Sequence, residues 1–267
     1  MLKVTNITKS FGEFKAINKL SFEIKIGDVM GFLGPNGAGK TTSMRVITQF
    51  LKPDSGSVHI NKININDDPI GSKSLIGYLP EGVPLYQDFS AYLYLKYVAE
   101  VRNLENVEEK IQNILLDLQL DDIKDVPIET LSKGYKRRVG LAQALIHDPK
   151  ILILDEPTDG LDPLQKFEVR RLIKDLSKKK AIIISTHILD EVPEVCNKCL
   201  IINNGEKIFE GTPAQLKKRK GKNLDEVFRE LVVTNEKIFE GTPAQLKKSK
   251  SKSKSKKSVK VFRGSPQ

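Results

Sequence analysis

Residues 34 to 41, GPNGAGKT, fit the spacing G-x-x-x-x-G-K-[ST], and the chemistry of that spacing is phosphate binding. Gly34, Gly37 and Gly39 let the backbone curl so that successive N–H groups point inward at phosphate oxygens, and a helix starting near Lys40 adds its positive end. The expected nucleotide-binding stretch is Gly34, Pro35, Asn36, Gly37, Ala38, Gly39, Lys40, Thr41 and Thr42. Lys40 supplies a cation for the β- and γ-phosphates and Thr41 a hydroxyl for Mg²⁺. A second stretch, ILILDEPTDGLD at 151–162, sets two acids after an apolar run. Asp155 is read as holding Mg²⁺ through water and Glu156 as orienting or deprotonating an attacking water. A third, AIIIST, ends at His187. A lone histidine is ordinarily structural or exposed, but this one follows a buried strand and emerges beside the two acids, where it can sense a γ-phosphate. A phosphate loop alone fits kinases, GTPases and helicases equally well.

These groups need elements that bring them to one place. VMGFL at 29–33, ILILD and AIIIS read as buried parallel strands, whose carboxyl ends are where ligands bind in open α/β sheets. Short strands are also expected at 2–7, 20–26, 57–60 and 74–79, while residues 91–147 turn helical. A helical insert within an α/β sheet is the economical reading. One predicted helix starts after Ser132, a good N-cap, yet carries Lys133, Lys136, Arg137 and Arg138 in its first turns. Cations there oppose the macrodipole by roughly 0.3 to 1 kcal/mol each when exposed.

Charge is unevenly distributed. From Lys217 onward 16 Lys and Arg face 5 Asp and Glu, whereas residues 1–216 hold 28 against 29. The body is neutral, so charge gives a polyanion-binding core no support, and nucleic acid is not expected as a partner. No apolar run approaches the roughly 20 residues needed to cross a bilayer, and the N-terminus lacks the apolar stretch of a secretion signal. Cys196 and Cys199 form a single C-x-x-C without a second ligand pair, so ordinary free thiols in a reducing cytoplasm are expected. EKIFEGTPAQLKK occurs at 206–218 and again at 236–248. The first copy is assigned to the fold and the second to a duplication without function. The Ser/Lys alternation that follows is expected to be disordered, a solvated extension whose alternative role is contact with anionic lipid.

The phosphate loop, LSKGY at 131–135, ILILDEPT, GLD and STH occur in one order, and together they resemble the nucleotide-binding subunit of ABC transporters over roughly residues 2–234. The resemblance implies an α/β P-loop NTPase core of ABC type with an N-terminal antiparallel β portion and an inserted helical subdomain at about 82–147. The ATP-binding domain is expected at 1–218, a C-terminal helix at 219–234 and the basic tail at 235–267. In the family's terms Gly34 to Thr42 is the Walker A loop, and Ile151 to Glu156 the Walker B strand. Asp162 lies in the D-loop, and His187 is the switch histidine. Ser132, Lys133, Gly134 and Tyr135 belong to a signature acting on ATP held by another subunit, with Lys133 and Tyr135 departing from glycine and glutamine. The helix charge is then relieved in part on closure of a dimer, while Arg137 and Arg138 are expected to pair with acids or solvent. Phe11 falls where an aromatic stacks on adenine. Glu81 stands where many members carry glutamine; a carboxylate there can ligate Mg²⁺ but repels a γ-phosphate.

The expected activity is ATP hydrolysis with Mg²⁺, in a homodimer on the cytoplasmic face of a membrane, powering a separate permease. GYLPE, LSKGY and NLDEVFREL look most like the ATPases of ABC-2-type exporters. The competing reading is a soluble ABC-type ATPase in translation or DNA repair. Those proteins carry two nucleotide domains or long coiled coils, and this chain has neither.

Overall fold

The computed structural model describes residues 1–218 and 224–239 of the 267-residue chain. It opens with a long hairpin, β1 (Leu2–Phe11) and β2 (Phe14–Ile24), followed by β3 (Val29–Leu33) and α1 (Lys40–Ile47). Then come β4 (Ser55–Ile60), β5 (Ile63–Asn64), α2 (Pro69–Ser74) and β6 (Ile76–Leu79). Three helices form the middle of the chain: α3 (Ala91–Val101), α4 (Val107–Asp117) and α5 (Lys133–Leu145). After them run β7 (Ile151–Asp155), α6 (Pro163–Ser177), β8 (Ala181–Ser185), α7 (Val192–Val195), β9 (Lys198–Asn203) and β10 (Glu206–Gly211). The described chain closes with α8 (Pro213–Lys218) and α9 (Leu224–Phe239).

Two sheets result. One is antiparallel in the order β2-β1-β4-β5, and the other runs β10-β9-β3-β8-β7-β6. In the second, every pairing is parallel except that of the edge strand β10 with β9. Strands β7 and β8 are apolar and fully buried, because both of their faces are covered. Side-chain alternation divides them between two cores. Leu152, Leu154, Ile182 and Ile184 point to the side where Ala91, Leu95, Ile111 and Leu115 of the helices pack. Ile151, Ile153 and Ile183 point to the other, against Ile7, Ile17 and Leu20 of the antiparallel sheet and Met44 and Ile47 of α1. Truncating one of these fully buried side chains to alanine costs about 2 to 5 kcal/mol.

The strand expected at 74–79 begins at Ile76, because Ser74 is claimed by α2. Asp68 caps that helix, accepting a hydrogen bond from the Gly71 N–H at 2.9 Å, and Pro69 occupies its first position. The C-terminal helix expected at 219–234 runs instead over Leu224–Phe239, so its last turn takes in the start of the second repeat copy. Residues 219–223, the rest of that copy and the Ser/Lys alternation lie outside the described residues. Among the described residues no helix is long and apolar enough to cross a membrane.

Candidate functional site

The parallel strands all end on one edge of the sheet, and the groups expected to do chemistry leave from those ends. Register sets them side by side: Leu79 of β6 pairs with Leu154, and Asp155 pairs with Ser185 two residues before His187. A cavity of about 670 Å³ opens there, lined by Asn36, Gly37, Gly39, Lys40, Thr41, Thr42, Glu81, Asp155, Glu156, Asp159, His187, Phe14 and Ala16.

The loop before α1 reaches this edge in a conformation that few residues adopt. Gly37 and Gly39 have φ of +81° and +103°, and a Cβ on Gly39 would stand 2.3 Å from the Ala16 carbonyl oxygen. Glycine is required at Gly39 on both counts. The β9–β10 turn braces the loop from outside: the Gly205 N–H donates to the Ala38 carbonyl at 3.0 Å, and the Asn18 N–H donates to the Gly205 carbonyl at 2.9 Å. Lys40 Nζ donates to the carbonyls of Gly34 at 2.7 Å and Pro35 at 3.2 Å. Burial lowers the Lys40 pKa, against which Glu156, Asp155 and Glu81 hold the proton on.

Opposite stand the two acids. Asp155 is 1% exposed. Its Oδ1 accepts from the Ser185 hydroxyl, and its Oδ2 is buried without a hydrogen-bond partner in the protein. An orphaned carboxylate oxygen on a cavity wall, with the Thr41 hydroxyl on the same wall, is an oxygen donor set that fits a hard divalent cation. No cluster of three or more His, Cys, Asp or Glu could hold a metal among the described residues. Glu156 has φ of +52°, rare for a residue with a Cβ. Its Oε2 lies 3.0 Å from His187 Nδ1, which donates to it when the Glu156 carboxyl is ionised. Burial raises the Glu156 carboxyl pKa, and the His187 hydrogen bond opposes that rise.

Some expected residues sit elsewhere. Phe11 is half exposed with the Lys9 ammonium 5.8 Å from its ring centre, and it is Phe14, its partner across the hairpin, that lines the cavity. The sequence FGEF offers both rings, and only the hairpin register separates them. Asp159 also lines the cavity, from the DGLD turn whose other acid, Asp162, caps α6 by accepting from the Gln165 N–H at 2.9 Å. Ser132, Lys133, Gly134 and Tyr135, expected to act on ATP held by another subunit, do not line this chain's own cavity. Ser132 is the N-cap of α5, accepting from the Tyr135 N–H at 3.3 Å, and Gly134 packs where a Cβ would meet Gln165 at 2.6 Å.

The charge on α5 is not left waiting for a second subunit. Lys133 pairs with Asp159 at 2.8 Å, Lys136 donates to the Glu129 carbonyl at 2.8 Å, and Arg138 pairs with Glu168 at 2.7 Å. Arg137, expected to meet acids or solvent, is buried and donates to four backbone carbonyls. Cys196 and Cys199 are buried free thiols, and burial pushes their pKa values up to about 12 and about 11, so neither is a ready nucleophile.

Comparison with known proteins agrees with this geometry. Residues 17–159 match the family model described as ABC transporter. The chain is 35% identical over 230 residues to an uncharacterized ABC transporter ATP-binding protein, YxlF, of Bacillus subtilis (strain 168), covering 84% of this chain and 75% of that one. It is 34% identical over 236 residues to a Nod factor export ATP-binding protein I of Rhizobium sp. (strain N33), covering 85% and 76%. A solved dimer of the ATP-binding cassette MJ0796 in a post-hydrolysis state, bound to ADP and Pi, superposes with a TM-score of 0.72 at 25% identity, over 80% of this chain and 99% of that one. A phosphate loop, paired acids and a histidine converging on one sheet edge, in a chain matched at these levels, have one common source: the chain belongs to the ABC transporter family, as one of its ATP-binding, ATP-hydrolysing subunits.

Proposed function

We propose that two copies of this chain close head to tail over two ATP molecules and so drive a separate membrane permease of ABC-2 export type from its cytoplasmic side. The observation that carries this reading is the convergence of Lys40, Thr41, Asp155, Glu156 and His187 on one cavity, with Glu156 and His187 in contact at 3.0 Å. The loop from Gly34 to Thr42 binds the phosphates through backbone N–H groups and Lys40. Thr41 and Asp155 are the residues that would hold Mg²⁺, Asp155 through water, and the ion would supply positive charge to offset that of the phosphates. Glu156 takes a proton from water as the water oxygen bonds to the γ-phosphorus and the bond to ADP breaks. His187 steadies the Glu156 carboxylate and faces the γ-phosphate. Phe14, rather than Phe11, is in position to stack on a base.

The other half of each site comes from a second copy. Ser132 and the N–H of Gly134 stand at the start of α5, outside this chain's own cavity, and are assigned to the γ-phosphate on the partner. Support for the pairing comes from the dimeric cassette that this chain resembles, and support for export from the Nod factor export relative. In this proposal the permease docks beside the Glu81 loop, where a groove of about 590 Å³ is lined by residues that include Phe50, Tyr78, Pro80, Gly82, Pro84 and Tyr94. Nucleic acid has no part in this reading.

The test is Glu156→Gln. The variant is expected to bind ATP as the parent does, to lose turnover by a factor of about 10² to 10³, the scale of one lost general base, and to elute as an ATP-dependent dimer in size-exclusion chromatography. Hydrolysis at the parent rate removes Glu156 from the base role, and a monomer at saturating ATP removes the closed dimer.

A further inference from the structure

Arg137 lies on the second turn of α5 and is 6% exposed. Its Nη1 donates to the carbonyls of Pro80 at 2.8 Å and Glu81 at 2.7 Å, and its Nη2 donates to the carbonyls of Asp155 and Glu156. The four acceptors belong to the carboxyl ends of two adjacent strands, β6 and β7. Three of them are the carbonyls of Glu81, Asp155 and Glu156, whose side chains line the cavity on its far side. One guanidinium therefore clamps the backbone behind the cavity wall.

Only arginine carries donors on two nitrogens in a rigid fork, so that each prong takes one strand end. Lysine gathers its donors on one nitrogen, and glutamine has one amide nitrogen. The clamp also has something to hold. Glu156 is in the left-handed region, a conformation kept only where its surroundings fix it. Its N–H is tied to the Ser185 carbonyl at 3.0 Å and its carbonyl to Arg137, so both flanking peptides are pinned and the carboxylate is aimed at the cavity. The buried cation further stands within electrostatic reach of the carboxylates of Asp155, Asp159, Glu156 and Glu81, offsetting the repulsion among them. Arg137 Nε is buried without a partner, a cost accepted where the fork must face these carbonyls. Next to it on α5, Gly140 lets the 80–83 loop approach so closely that a Cβ would meet Val83 Cγ1 at 2.5 Å.

We propose that Arg137 is a positioning residue for ATP hydrolysis: its fork fixes the ends of β6 and β7 so that the Glu156 carboxylate is correctly aimed, and it ties that aim to the placement of the Glu81 loop. The inference rests on the role of Glu156 as base. Arg137 touches no reacting atom and acts through the backbone of residues that do. Because the same guanidinium holds the Glu81 carbonyl, displacement of the Glu81 loop is transmitted to Glu156 through two hydrogen bonds.

The experiment uses the full-length chain with Arg137→Lys, Arg137→Gln and Glu156→Gln, and the two Arg137 variants combined with Glu156→Gln. ADP affinity measured by calorimetry and KM for ATP are expected within about 3-fold of the parent, because the phosphate loop is untouched, while kcat falls about 10- to 100-fold. Arg137→Lys, which keeps the charge and half the bonds, recovers part of that loss. In the Glu156→Gln background, adding an Arg137 substitution is expected to change residual turnover by less than about 2-fold, since residues that act as a unit are not additive. An equal fold-loss in both backgrounds overturns the proposal, as does parent-like kcat in Arg137→Gln. Should both Arg137 variants melt below the assay temperature, the residue is structural and the proposal also fails. Full turnover in Glu156→Gln alone instead overturns the base role on which this rests, so the two failures are told apart.

Discussion

At the scale of single residues, the site sets stability against chemistry. Glu156 is buried in the left-handed region beside Asp155, and its raised pKa means that folding disfavours the charged form. A carboxyl raised in the folded state binds its proton more tightly folded than unfolded, so at neutral pH the charged group weakens the fold. Glu156→Gln should therefore raise the melting temperature at pH 7 to 8 even as it slows turnover. A lower melting temperature by scanning fluorimetry would mean that the His187 contact outweighs burial. The acid limb of kcat in the parent should likewise lie above the ordinary glutamate range near 4.3. That Lys40, Thr41, Asp155, Glu156 and His187 meet at one cavity was legible from motif spacing and, for His187, from its place after a buried strand. Phe14 and Arg137 were not. Their positions depend on a hairpin register and on a contact 56 residues distant in sequence, for which local sequence holds no signal.

At the scale of elements, the junction of α5 with β6 is where acid is expected to weaken the fold. His147 follows α5, and its Nε2 lies 3.0 Å from the Ile76 carbonyl, while Nδ1 is buried without a partner. Burial, helped by Arg102, pushes its pKa down to about 4 from the usual 6.5. The unfolded chain therefore gains a proton that the folded chain refuses once pH falls below 6.5, and stability is lost progressively until about pH 4. Allowing for its partial exposure, the loss is about 1 to 2 kcal/mol. His147→Gln, whose amide can keep the donation to Ile76, should flatten melting temperature against pH over that window; an unchanged slope would assign the acid sensitivity to other groups. The basic first turns of α5 also belong to this scale. Read alone they oppose the helix dipole, but each cation meets an acid or a carbonyl from another element. The expectation that the charge awaits a second subunit loses its ground, and the case for a dimer passes to Ser132 and Gly134.

At the scale of the whole molecule, α9 is the last described element, and it packs on the core. Leu224 and Val227 of α9 are buried, and the Asn203 side chain donates to the Val232 carbonyl at 3.4 Å. Truncation after Phe239 is expected to leave ATPase turnover within about 2-fold and the melting temperature unchanged, whereas truncation before Leu224 exposes the surface beneath α9. That loss is about 1.5 to 3 kcal/mol for each large buried side chain, read as a drop in the urea midpoint; equal midpoints would show that α9 contributes nothing to the core. The sequence by itself determined the phosphate chemistry, the paired acids and the α/β class, because these follow from residue type, short spacing and alternation. Only the tertiary structure decided which aromatic faces the cavity, where the α5 cations go and what the repeat becomes. EKIF is a strand at 206–209, where β9 supplies hydrogen-bond partners, and helical backbone at 236–239, where a helix already under way extends through it. Identical residues carry identical local preferences, so the difference lies entirely in the partners that the fold brings to them.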